Sequence, residues 1–193
     1  MRKRARAGIA ICVLLAAAPA ACAAAFQLYG GMGDGQARRN PSHEALLHKT
    51  RAFASNHDPG TIVIRTGERR LYYILSNSEA IEYIVGVGRE GFTWTGTNRV
   101  TRMAEWPYWR PPKEMIEREA RHGRDIPGFM AGGPGNPLGA RAIYIGDTEF
   151  RIHGTTQPWT VGLAVSSGCV RLMNEEVIDL YNRVEIGALV VVE

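Results

Sequence analysis

Between residues 61 and 88 the chain alternates short apolar runs with polar breaks. "TIVIRT" (61–66), "RRLYYIL" (69–75) and "AIEYIVGVG" (80–88) are rich in Ile, Val and Tyr, and "TGER" and "SNSE" interrupt them with turn-forming residues. β-branched and aromatic residues fit a pleated, half-buried surface, so the pattern predicts a meander of three antiparallel strands. "ARAIYIGDTEFRIHG" repeats the form as a hairpin: a strand to Ile145, a turn at Gly146 and Asp147, and a strand through Phe150 and Ile152. "ALVVVE" closes the chain as a buried strand.

Helical periodicity is scarce. "NEEVIDLYNRV" places Val177, Leu180, Tyr181 and Val184 on one face, with Asn174 as the expected N-cap and Glu175 and Glu176 at the positive end of the helix. "PPKEMIEREARHG" carries charge nearly all round and opens on proline, which predicts an exposed helix within a long insertion. "PSHEALLHKTRAF" is expected as a third short helix, because Leu46, Leu47 and Phe53 fall near one face. The fold class expected from these elements is mainly β with short helices, without internal repeats.

The first 25 residues change the picture of charge and compartment. "MRKRARAGIAICVLLAAAPAACAAA" sets four positive side chains before an apolar run of about 12 residues, short of the ~20 that span a bilayer, and follows it with Ala-x-Ala cleavage sites. Residues 1–25 therefore read as a signal peptide, with export to the periplasm as the expectation. Lipid attachment at Cys22 is disfavoured, since Pro19 stands where a lipoprotein site usually has Leu. Removing the segment takes away four of the 23 Lys and Arg and none of the 19 Asp and Glu, which leaves a net charge of zero. Such a chain offers phosphates no basic surface, so nucleic acid is not an expected partner. Residues 26–58, glycine-rich and then basic, read as an N-terminal arm or linker, and 59–193 as one domain.

Two motifs fail on physical grounds. Gly86, Gly88 and Gly91 in "GVGREG" have dinucleotide-fingerprint spacing, but "FTWTGTNRV" follows instead of a helix whose N-terminus could hold a pyrophosphate. His43 and His48 in "HEALLH" are five residues apart, about 140° around a regular helix, so one ion cannot bridge them. No cofactor and no metal site is expected.

With Cys12 and Cys22 in the signal segment, Cys169 is left alone in a compartment where cysteines normally pair. A buried inert thiol is one explanation. "RIHGTTQPWTVGLAVSSGCVRLMNEE" offers another, because His153 lies sixteen residues upstream across a segment containing Gly154, Pro158, Gly162 and Gly168. A free thiol is mostly protonated at neutral pH and needs a base or a positive neighbour to act as a nucleophile. His153 is the natural base, since the other histidines lie in the arm or the charged insertion. The small residues of "SSGC" let successive backbone N–H groups point at a developing oxyanion, each such donor contributing about 3 kcal/mol to the transition state.

The pair "HGT" and "SSGCVR" resembles the signature of the L,D-transpeptidase family, the YkuD-type catalytic domain. "PGTIVI", "VGVGREGFTWTGT", "AEWPYW", "MAGGPGNPLGARAIYIG" and "VIDLYNRVEIGALVVV" extend the likeness over nearly all of 59–193, in the form common in Gram-negative periplasmic members. The resemblance implies a β-sandwich-like catalytic domain of mixed sheets acting on peptidoglycan stem peptides. Cys169 would attack the L,D amide before a terminal D-alanine, and an amine, from another stem or from an envelope protein, would resolve the thioester. It also implies that carbapenem-type inhibitors acylate Cys169.

Carried over by the same resemblance, His153 is base and then acid, with the Gly154 carbonyl orienting its ring, and the backbone around Ser167, Gly168 and Cys169 forms the oxyanion hole. Ser166, Arg171, Trp159 and Tyr144 are expected to meet substrate. For Arg171 the alternative is a loop-bracing arginine, and for the two aromatics it is a place in the core. Ser167 departs from the pattern, since many relatives have histidine there, and the burden of base catalysis then rests on His153. Hydrolysis of the same acyl-enzyme, as an L,D-carboxypeptidase or endopeptidase, is the first alternative function. A non-catalytic peptidoglycan-binding module is the second.

Overall fold

The computed structural model describes residues 47–193. The signal segment, most of the arm and His43 lie outside the described residues. The predicted meander forms as β2 (Ile62–Arg65), β3 (Arg70–Ile74) and β4 (Glu79–Ile84), paired antiparallel in sequence order. The hairpin forms as β7 (Arg141–Ile145) and β8 (Arg151–His153), also antiparallel. The C-terminal run becomes β11 (Leu189–Val192), parallel to β2 on one side.

Four elements differ from the sequence reading. The third strand, expected over residues 80–88, ends at Ile84, and Val87–Gly88 pair in a separate sheet. Residues 49–52, expected within a helix, form strand β1 (Lys49–Ala52) against the outer edge of β4. That edge supplies the partners that a short, isolated helix would lack, and Phe53 then stacks on Tyr72 with ring centroids 4.4 Å apart. The stretch after "FTWT" is a ten-residue strand, β6 (Gly96–Glu105), which apolar patterning does not reveal because Val100 is its one buried residue. In helix α2 (Asn174–Arg183) the cap position falls on Met173, and the Asn174 side chain instead accepts the Ala140 N–H at 2.9 Å.

β6 joins two halves. Its first residues pair with β11 and its later ones with β7, and a register shift between Val100 and Arg102 bends the strand where the partner changes. The strand order is β1-β4-β3-β2-β11-β6-β7-β8-β10, where β10 is Val170–Arg171 and runs parallel to β8. Ile62, Ile64, Leu71 and Tyr83 from one half share a single buried cluster with Ile143, Ile145, Ile152 and Val170 from the other. The halves therefore face one another across one core, a mainly β, sandwich-like arrangement of mixed sheets, to which α2 adds Val177 and Leu180.

The insertion between β6 and β7 carries helix α1 (Lys113–Arg121) over a small core of its own, Trp109, Ile126 and Leu138. The charge on α1 is not all solvated. Glu119 is buried and held by Arg124 at 2.6 Å and Arg118 at 3.2 Å. A two-stranded parallel sheet, β5 (Val87–Gly88) with β9 (Ala164–Ser166), lies against the chain that leads into β10.

Candidate active site

The site is built by strand register. β10 runs parallel to β8 with Val170 opposite Ile152 and Arg171 opposite His153. Side chains alternate faces along a strand, and Ile152, Val170 and Leu172 point into the core. Arg151, His153, Cys169 and Arg171 consequently share the opposite face. A separation of sixteen residues in sequence thus becomes a matter of adjacent strands, with the 154–163 segment looping out between them through a 3-10 turn at Pro158–Thr160.

His153 is 4% exposed, and its Nδ1 donates to the Gly154 carbonyl at 2.5 Å. That bond assigns the ring proton to Nδ1 and leaves Nε2 as the basic nitrogen. Gly154 leaves no room for a side chain, because a Cβ there would collide with Asn174 Oδ1. Burial, then the charge of Arg171, then that of Arg151 hold the imidazole down to a pKa of about 3, against the raising influence of the Gly154 and Leu138 carbonyls. Burial pushes the Cys169 thiol up, and Arg151 and Arg171 pull the other way. The resting pair is a neutral imidazole and a neutral thiol. Cys169 keeps partial exposure, with its Sγ 3.7 Å from the Glu149 carbonyl.

The turn before Cys169 is internally tied. Ser166 is 1% exposed, and its hydroxyl donates to the Cys169 carbonyl at 2.6 Å while accepting the Gly168 N–H at 3.1 Å. Ser166 was expected at the substrate, yet its hydroxyl faces inward and holds the loop. The Gly168 N–H, expected as an oxyanion donor, is committed to that hydroxyl. Gly168 itself has φ 109°, a conformation open to glycine, and a Cβ there would strike the Phe150 ring. Ser167 is half-buried.

The glycines of "GVGREG" acquire a purpose. Gly86 exchanges two backbone hydrogen bonds of 2.8 Å with Arg171, and Gly88 admits the close approach of Gly168 and the Phe92 backbone. Arg171 is thereby fixed through its main chain, beside His153 in the register. Tyr144 is 9% exposed and lies between two guanidiniums, Arg102 at 3.5 Å and Arg151 at 5.5 Å from its ring centre. It is buried, but by register it shares the face of Arg151 and belongs to none of the apolar clusters. Trp159, on the 3-10 turn, is half-exposed.

The model of the YkuD family, the L,D-transpeptidase catalytic domain, matches residues 59–192. The chain belongs to this family. The probable L,D-transpeptidase ErfK/SrfK of Escherichia coli K12 is 38% identical over 134 residues, which cover 67% of this chain and 42% of that protein. The chain thus spans less than half the length of that curated relative. A solved chain from Brucella melitensis, described as a probable carnitine operon oxidoreductase, is 46% identical with a TM-score of 0.51, over 74% of this chain and 90% of that one. The catalytic domain of the Enterococcus faecium L,D-transpeptidase superposes with a TM-score of 0.54 at 18% identity, over 72% of this chain and all of the other.

Within this L,D-transpeptidase domain, sequence reading passed over Arg151. Arginine in "EFRIHG" reads as a solvated strand residue, and nothing local distinguishes it. The signal that finds it is its spacing of two from His153, which puts both on one face once the segment is a strand.

Proposed function

We propose that residues 59–193 form the catalytic domain of a periplasmic peptidoglycan L,D-transpeptidase in which Cys169 is the nucleophile and His153 the proton carrier. The observation that supports this reading is the parallel register of β8 and β10, which puts Cys169 on the same face as His153, two positions along the adjacent strand from the residue opposite it, with the His153 Nδ1 proton held on the Gly154 carbonyl.

Because both partners rest neutral, proton transfer accompanies attack rather than preceding it. His153 Nε2 takes the thiol proton as Cys169 Sγ bonds to the carbonyl carbon of the L,D amide. The oxyanion is met by the N–H groups of Ser167 and Cys169, the Gly168 N–H being held by Ser166. Collapse breaks the C–N bond, the imidazolium returns its proton to the leaving D-alanine nitrogen, and a thioester remains. An acceptor amine then attacks the thioester, gives its proton to His153, and the thiol is restored. A stem diaminopimelate or an envelope protein are the acceptors this chemistry admits. A solved L,D-transpeptidase of Mycobacterium tuberculosis with this fold bears a faropenem-derived adduct, which supports acylation of the present thiol by β-lactams of that kind.

Purified tetrapeptide stems incubated with the protein are expected to yield D-alanine and cross-linked dimers by mass spectrometry. Tripeptide and D-alanine alone would replace transfer with hydrolysis, and unchanged stems would remove the catalytic reading in favour of a binding module.

A further inference from the structure

Four features place a second cation at the nucleophile. Parallel register sets Arg151 on the face of β8 shared by His153, one position before the Ile152–Val170 pair and thus alongside Cys169. Arg151 also pairs with Tyr144 in the β7–β8 hairpin, and the Tyr144 ring, braced from its other side by Arg102, supports the guanidinium. The Arg151 Nε is buried, and no described residue accepts its proton. No ion pair joins Arg151 to any described carboxylate, although the chain's exposed arginines make several, such as Arg183 with Asp179 and Arg65 with Glu193.

The Arg151 guanidinium is a fixed positive charge on the face of the nucleophile, with no carboxylate partner among the described residues, and a carboxylate is the anion whose two oxygens match its planar fork. In the proposed reaction, on which this inference rests, one group fits. The α-carboxylate of the departing residue is the substrate charge nearest the scissile carbon, within about 4 Å because one residue separates them.

We infer that Arg151 is a specificity-determining residue that grips this terminal carboxylate. Arg171, opposite His153, flanks the same space. The arrangement also couples recognition to catalysis. Both guanidiniums act on His153 and disfavour its protonated form, and a carboxylate laid between them cancels that field, so the anionic donor makes the imidazole a better base where it is needed.

The test compares kcat/KM for D-alanine release from a tetrapeptide stem with release of D-alaninamide from the same stem ending in a carboxamide. The wild-type protein is expected to prefer the free acid roughly 10- to 100-fold, Arg151→Gln to lose that preference, and Arg151→Lys to keep part of it. The ratio decides, because a loosened fold slows both donors together. An unchanged ratio in Arg151→Gln would overturn the assignment while leaving the catalytic reading intact. A wild-type protein that releases neither product would overturn both.

Discussion

The Ser166 hydroxyl serves both sides of the loop it sits in. It donates to the Cys169 carbonyl and accepts the Gly168 N–H from a position closed to water. Ser166→Ala leaves both groups unsatisfied and is expected to cost about 2 kcal/mol by thermal unfolding. The same change is expected to slow acylation of Cys169 at least tenfold, since the backbone that aims the thiol loses its tie. Cys169, His153 and Gly154 stand out in the sequence as candidates because within residues 59–193 there is one cysteine, one histidine outside the charged insertion, and a glycine beside that histidine. Ser166 as a loop tie and Arg151 do not stand out, because serine and arginine are common everywhere, and only the turn's hydrogen bonds and the strand's alternation single them out.

At the scale of elements, the site depends on β5 as much as on the strands that carry the nucleophile and base. Gly86 clasps Arg171 and Gly88 lies against Gly168, so these two glycines serve close backbone packing, whereas Gly91 takes a positive φ in open space. Gly88→Ala sets a methyl group against the Phe92 backbone, and overpacking of that kind costs about 1–3 kcal/mol. Acylation is expected to fall at least tenfold in this variant while circular dichroism stays that of the wild type. The opposite result, full activity, would detach β5 from the catalytic loop. Strands β2, β3, β4, β7 and β11 could be read from sequence because their apolar runs bury one or both faces. β6 could not, being polar along most of its length and held by backbone pairing on two edges, and β9 and β10 are too short to show a period.

For the molecule as a whole, buried titratable groups define a pH window. His153, held down to about 3 against an ordinary 6.5, stays neutral when folded and charges when unfolded. The unfolded chain therefore binds the extra proton between those values, and stability falls as pH drops from about 6.5 toward 3. Asp179, buried in part and bonded to Arg183 and Tyr83, and Glu119, bonded to Arg124 and Arg118, are both lowered and add to the loss below the usual carboxylate range. At the other end, burial and the Asp179 bond raise the Tyr83 phenol above its ordinary 10.0, so stability contributed by its neutral form declines as pH rises beyond that value. The raised Cys169 thiol acts in the same direction from its ordinary 9.0, so thermal unfolding is expected to show a plateau between about pH 6.5 and 9, and His153→Gln is expected to flatten the acid limb. An acid limb unchanged in that variant would place the titration elsewhere. This window was invisible in the sequence, since Tyr83 is buried by the closing of the core and His153 by segments that fold over the opposite face of its strand.

Intact-mass measurement after exposure to a carbapenem reads whether Cys169 is a nucleophile served by His153. The wild-type protein is expected to gain one covalent equivalent, Cys169→Ala none, and His153→Gln the same adduct about 100-fold or more slowly. An unmodified wild-type mass after prolonged exposure, or a His153→Gln variant acylated at the wild-type rate, would contradict that pairing.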